Sequence, residues 1–74
     1  MSVEIGTAER YGEHYRVYRY YADGGRELVA DYCTLDEARA HCNDPETSSS
    51  TATSAEALAR TSERGPWFDG YREA

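Results

Sequence analysis

The residues of this chain that could hold a metal or attack a carbonyl are His14, Cys33, His41 and Cys42, with Asp44 close behind. Structural zinc takes four ligands, commonly in close pairs such as Cys-x2-Cys. No such pair occurs here, and adjacent helical residues diverge by about 100°, so His41 and Cys42 do not face one ion. Cys42, His41 and Asp44 suggest a thiol–imidazole nucleophile. Such triads are assembled from separate elements, and adjacency in sequence works against the geometry. A domain of 74 residues also has little volume for a deep, dry pocket. The expectation is a non-enzymatic chain with no catalytic, metal or cofactor-binding residue: His41 at the surface and Cys42 packed as a small apolar side chain. Cys33 ends a strand and Cys42 a helix. At a rise of 1.5 Å per residue their Cα atoms lie about 12 Å apart, too far for a disulfide.

A second chemistry is written in arginine and tyrosine. All eight basic residues are Arg, and seven residues are Tyr. Arg10, Arg16, Arg19 and Arg26 meet only Glu13 and Asp23 in their stretch, so the local balance is positive in an otherwise acidic chain of net charge −6. Arg16, Tyr18 and Tyr20 alternate along one strand face, a mixture suited to phosphate contacts and stacking. Trp67 and Phe68 are the only Trp and Phe. They either close a core or anchor a partner, as Trp, Tyr and Arg do at binding hot spots; one ring inward and one outward is a third arrangement. The candidate contact residues are Arg16, Tyr18, Tyr20, Trp67 and Tyr71. The run Thr47–Ser54 is almost all Ser and Thr, without the Gly-rich cradle or Lys of a phosphate loop. Its hydroxyls can hold an anion at the next helix start or zip the loop to its own backbone.

These side chains must be positioned by few elements. Tyr15–Tyr21 and Glu27–Cys33 read as strands around Asp23-Gly24-Gly25, a turn whose positive φ suits glycine. A loop of two or four residues puts Tyr15, Val17, Tyr21, Leu28, Ala30 and Tyr32 on one face, and Arg16, Tyr18, Tyr20, Val29, Asp31 and Cys33 on the other. Arg19 is then a misfit on the core side and is expected near an edge. Thr34-Leu35-Asp36-Glu37 is a capping box that opens a helix, with Leu35, Ala38 and Cys42 on its buried stripe. Asn43-Asp44-Pro45 ends it, and Asp44 and Glu46 shape the turn that follows. A second helix starts at Thr53 or Ser54, with Thr53 and Glu56 as a further box and with Ala55, Leu58, Ala59 and Ser62 lining one side; Gly65-Pro66 stops it. In residues 1–13, Val3 and Ile5 alternate with Glu4 like a short edge strand, interrupted by Gly6 and Gly12.

The resulting expectation is one α+β domain. An antiparallel hairpin, three-stranded if the N-terminal segment joins it, packs with one or two short helices and an aromatic C-terminal tail. Its parts are the N-terminal segment 1–13, the strand–strand–helix unit 14–43, the Ser/Thr-rich loop 44–53, and the helix and tail 54–74. Val3, Ile5, Val17, Leu28, Val29, Leu35 and Leu58 are a thin aliphatic supply, and such composition with net negative charge leans towards disorder. The aromatic rings, at roughly 150–250 Å² each, offset that, and a homodimer would supply further burial. There is no apolar run behind a basic start and no membrane-length segment, so the expected compartment is the cytoplasm.

Two resemblances follow from quoted residues. Tyr15-Arg16-Val17-Tyr18-Arg19-Tyr20-Tyr21-Ala22-Asp23-Gly24-Gly25-Arg26, with Tyr32-Cys33-Thr34-Leu35-Asp36-Glu37-Ala38-Arg39-Ala40, resembles the strand–strand–helix pattern of integrase arm-type DNA-binding domains. That implies DNA read by the sheet through Arg16, Arg19 and Arg26. Glu27 and Asp31 stand where that pattern wants basic residues, and an acidic chain repels a polyanion. The whole chain is also similar to a group of small actinobacteriophage and actinobacterial proteins of unknown function, through His41-Cys42-Asn43-Asp44-Pro45-Glu46-Thr47-Ser48-Ser49 and Gly65-Pro66-Trp67-Phe68-Asp69-Gly70-Tyr71. This implies a phage or prophage setting and transfers no activity. The expected function is a small acidic interaction module that binds or inhibits a host or phage protein, a basic partner being favoured by the charge. Nucleic acid is the disfavoured rival.

Overall fold

The computed structural model describes residues 3–8 and 14–74; Arg10, Gly12 and Glu13 of the sequence reading lie outside them. The chain is an α+β fold built on a four-stranded mixed sheet. The strands are β1 (Glu4–Ile5), β2 (Tyr15–Tyr21), β3 (Arg26–Cys33) and β4 (Trp67–Glu73), in the spatial order β1-β3-β2-β4. Helix α1 (Leu35–Asn43), a 3-10 turn (Pro45–Thr47) and helix α2 (Ala55–Arg64) connect β3 to β4. β1 runs parallel to β3, while β2 is antiparallel to both β3 and β4. The segment expected as an aromatic tail is therefore a strand, and it flanks β2, which becomes central. No helix among the described residues is long and apolar enough to cross a membrane.

The hairpin loop has three residues, where two or four were expected. Gly24 N–H donates to Tyr21 O at 3.0 Å and Tyr21 N–H to Gly25 O at 2.9 Å, closing the loop Ala22-Asp23-Gly24. Gly24 has φ +96°, a left-handed position that glycine fills without a Cβ penalty. An odd loop inverts the expected faces: Tyr18 lies opposite Leu28 and Arg19 opposite Glu27. The strand then corrects itself. Val17 pairs with Ala30 and Tyr15 with Cys33, so β3 carries an extra residue at each of two irregularities. Tyr32, at φ +52°, sits in the second. Each bulge resets the alternation. Leu28 consequently faces away from the helices with Tyr18, whereas Cys33, expected outward, joins the buried cluster of Val17, Ala30 and Ala38.

Helix α1 is set as its sequence requires. Thr34 Oγ1 accepts from Glu37 N–H at 3.1 Å, and the Glu37 carboxylate accepts from Thr34 N–H at 2.8 Å. The same carboxylate accepts from Thr7 N–H at 2.9 Å, tying the segment after β1 to the helix start. Helix α2 is capped by Ser54, whose hydroxyl accepts from Ala57 N–H. The partner expected of Glu56 is instead supplied from outside the helix. Glu46 accepts from Thr53 N–H, Thr53 Oγ1–H and Ser54 N–H at 2.8, 3.1 and 2.8 Å. These bonds draw its carboxyl down from 4.5 to about 2, the Thr53 amide first among them. The anion at this helix start is the chain's own. The loop hydroxyls are zipped to backbone: Thr47 Oγ1 donates to Asp44 O at 2.6 Å and Thr51 Oγ1 to Pro45 O at 2.6 Å.

The buried face of α2 also differs from expectation. Ala57 is buried while Leu58 is 55 % exposed. The second core cluster is Tyr21, Ala52, Ala57 and Trp67. Polar residues serve its two rings: Trp67 Nε1–H donates to Thr61 Oγ1 at 3.0 Å, Arg60 lies 4.8 Å from the Trp67 ring centre, and Arg64 lies 3.8 Å from that of Tyr21. A search for aliphatic spacing passes over this face, because arginine stems cover the rings here.

Candidate functional site

Two constellations stand out, one on each face of the sheet. On the helix-covered face, β2 and β4 bring Arg19 directly opposite Asp69. Arg19 Nε and Nη2 donate to the two Asp69 oxygens at 2.8 and 3.1 Å. His41, on α1, reaches Asp69 Oδ2 through Nε2 at 2.9 Å. The Asp69 side chain is 0 % exposed and that of Arg19 11 %. Arg19 is thus central and interior, not the edge residue expected, and His41 is a half-buried partner of Asp69. Burial opposes ionisation of Asp69, yet the hydrogen bonds from His41 and Arg19 hold its carboxyl below the ordinary value. The His41 imidazole is raised in turn, chiefly by its hydrogen bond to Asp69.

This cluster does not resemble an activated nucleophile. Asp44 caps the 3-10 turn through Glu46 N–H, away from any role with His41. Burial, then Asp69 and Cys33, push the Cys42 thiol from 9.0 to about 11, and burial raises Cys33 as well. A reactive cysteine needs the opposite shift. Both cysteines are free thiols, and Cys42 packs against the first core cluster. Among the described residues no group of three or more His, Cys, Asp or Glu could hold a metal ion.

Among the described residues no helix covers the other face of the sheet. It presents Arg16, Tyr18 and Tyr20 from β2, Arg26 and Leu28 from β3, and Phe68, Gly70 and Arg72 from β4, as the cross-strand pairs require. Phe68 is 56 % exposed. Its ring stacks on Tyr20 with centroids 5.4 Å apart, Tyr18 lies 6.1 Å from Tyr20, and the Arg26 guanidinium sits 4.8 Å from the Tyr18 ring centre. Arg16 lies directly across from Arg72. Asp31 accepts from Arg16 Nε at 3.2 Å, and its Oδ1 lies 3.5 Å from His14 Nε2.

The structure gathers three of the five residues singled out from sequence, Arg16, Tyr18 and Tyr20, on this open face. The other two are elsewhere. Trp67 is 2 % exposed; as the indole that joins α2 to the sheet, it offers no surface to a partner. Tyr71 lies on the helix side, opposite Val17, with its ring edge-on to Tyr15 at 5.9 Å. Phe68, Arg26, Arg72 and Leu28 complete the open face and were missed. The available signal was the alternation in β4, where Phe68, Gly70 and Arg72 interleave with Trp67, Asp69 and Tyr71. Comparison of the chain with family models, with curated proteins and with solved structures returns no match.

Proposed function

We propose that this chain is a small non-catalytic interaction module, acting in the cytoplasm in the phage or prophage setting its sequence resembles, and that it binds a protein through the open face of its sheet. The observation that carries the reading is the patch of exposed Phe68 and half-buried Tyr18, Tyr20 and Leu28, flanked by arginines and free of any helix among the described residues, in a fold whose other sheet face packs against helices. An apolar centre with an Arg-bearing rim is the anatomy of a protein interface, and contiguous exposed apolar surface marks interaction sites. The raised thiols of Cys33 and Cys42 favour binding over catalysis. The rival, a sheet-face DNA binder, is left with Arg16 and Arg26 of its three arginines, since Arg19 is committed to Asp69.

The test is affinity capture from host lysate with the tagged protein, in parallel with Phe68→Ser and with Leu58→Ser. Leu58 is exposed on the opposite side, so the expected result is one stoichiometric protein lost with Phe68→Ser and kept with Leu58→Ser. Equal capture by both variants overturns the reading. A homodimer would cover the same face; it would appear as a doubled mass in sedimentation that Phe68→Ser abolishes.

A further inference from the structure

The open face has a chemical bias that its aromatic residues alone do not convey. Arg16, Arg26 and Arg72 line one shallow cavity of about 300 Å³ together with Tyr18, Glu73 and Ala74. Arg16 and Arg72 are direct cross-strand neighbours, a like-charge pairing that costs stability in a sheet. Asp31 compensates only Arg16, and among the described residues neither Arg26 nor Arg72 makes an ion pair with a carboxylate. The helical layer and its connecting turn have the opposite balance: Asp36, Glu37, Asp44, Glu46, Glu56 and Glu63 outnumber Arg39, Arg60 and Arg64. The Cα trace measures 21 and 18 Å along its two shorter axes. The helical layer lies on the other side of the sheet from this cavity, and a Debye length of about 8 Å at physiological ionic strength weakens its field there. What docks there meets three arginine side chains against the one carboxylate side chain of Glu73.

Resting on the proposed sheet-face module, we infer that the three-arginine cavity, on the sheet face that also bears Phe68, is a carboxylate site, and that the occupant is an acidic protein segment that places glutamate or aspartate on Arg16, Arg26 and Arg72 and an apolar anchor on Phe68 and Leu28. The guanidinium fork matches a carboxylate in two parallel hydrogen bonds. An anion between Arg16 and Arg72 removes the repulsion that the empty sheet carries. The ring geometry selects protein over nucleic acid. Tyr20 is already stacked on Phe68 and Tyr18 is covered by Arg26, so two of the faces on which bases would stack are taken. The charge of the chain, −6 overall, favours a basic partner; the polarity of the docking face reverses that expectation.

The experiment is fluorescence anisotropy with three labelled probes: a short peptide of glutamates flanking a central Leu-Phe pair, its lysine counterpart, and a short oligothymidylate. At about 50 mM salt the glutamate peptide is expected to bind at least about tenfold more tightly than the lysine peptide, with the difference shrinking as salt rises. Arg72→Ala and Arg26→Ala should each weaken it about three- to tenfold, Arg72→Lys less, and Phe68→Ser more, with far-ultraviolet dichroism unchanged because all three residues are exposed. Preference for the lysine peptide, indifference to Arg72→Ala, or tighter binding of oligothymidylate overturns the carboxylate site; the last would make the face a nucleic-acid platform. Silence of all three probes while lysate capture still depends on Phe68 would sink this inference and leave the proposed function standing. Loss of the Phe68 dependence would sink both.

Discussion

Replacing Asp69 by Ala would leave Arg19 facing the helix-covered interior with no carboxylate to receive it. The geometry sets the scale. Asp69 accepts three hydrogen bonds, at 2.8, 3.1 and 2.9 Å, from the Arg19 guanidinium and the His41 imidazole, and its own side chain is 0 % exposed. Removing one member of a buried charge cluster costs about 3–5 kcal/mol, because the desolvation of the survivor is no longer offset. A chain of 74 residues at about 0.05–0.15 kcal/mol per residue has roughly 4–11 kcal/mol in all. Asp69→Ala should therefore forfeit about a quarter or more of the stability and, at the low end, unfold the protein. Urea titration read by Trp67 emission and by far-ultraviolet dichroism measures it. With a slope of about 1 kcal/mol per molar, the midpoint should fall by about 3 M or the transition vanish. A companion variant separates charge from packing. Arg19→Met, His41→Leu and Asp69→Leu together remove all three polar groups, and replacement of a buried ion cluster by apolar residues is often neutral or stabilising. It should recover most of the midpoint. A shift below about 0.5 M for Asp69→Ala would refute the argument that the cluster is a stringent interior requirement.

Three further outcomes follow from other contacts. The His41 imidazole is raised by Asp69, so its contribution is complete below the ordinary value of about 6.5 and fades as pH climbs through the raised one. Wild-type urea midpoints should fall from neutral into mildly alkaline pH, whereas His41→Gln should start about 1–2 kcal/mol lower and stay flat across that window. Glu46 is depressed from 4.5 to about 2, so its hold on α2 persists above the ordinary carboxylate range and is lost as pH falls towards the lower figure; Glu46→Gln should flatten the loss of helical dichroism across that acid window. Gly6→Ala would place a Cβ 2.6 Å from Tyr32 O and 2.7 Å from Cys33 Cα. It should speed amide exchange at Gly6 and Ala8, which bond to Asp31 O and Tyr32 O, and leave α2 amides unchanged.

What was legible in the sequence was local. Asp23-Gly24-Gly25 marks its turn because only a few neighbouring residues decide a hairpin, and Thr34 to Glu37 carry both halves of a reciprocal cap. The faces of β3 were not legible, because a bulge is a feature of pairing and leaves no mark in composition; Leu28 and Cys33 each fell on the wrong side for that reason. β4 was passed over as a tail because Gly70 weakens its strand propensity and its partner, β2, lies far back along the chain. The same distance hid the interior cluster. Arg19 and Asp69 are fifty positions apart, and an isolated arginine among apolar residues reads as a misfit until its carboxylate is in view. Of the candidate site, the β2 contribution was readable from alternation, while Phe68 and Arg72 became visible only once β4 was a strand.

That long-range pair bears on modularity. The strand–strand–helix stretch looks self-contained, with its own turn, cap and apolar stripe. Excised from the rest, it would expose Val17 along the edge vacated by β4 and strand the Arg19 guanidinium beneath α1. The hairpin is therefore a dependent part, unsuited to transplantation as a mini-domain. Closing the span between β2 and β4 must come before the interior charge is matched, which places sheet completion late in folding and makes it the slow step in a chain whose helices and turn form locally. Fragments ending before Trp67 should behave as loosely collapsed, aggregation-prone chains, and a split of the protein within the loop before α2 should reassemble only when both pieces are present.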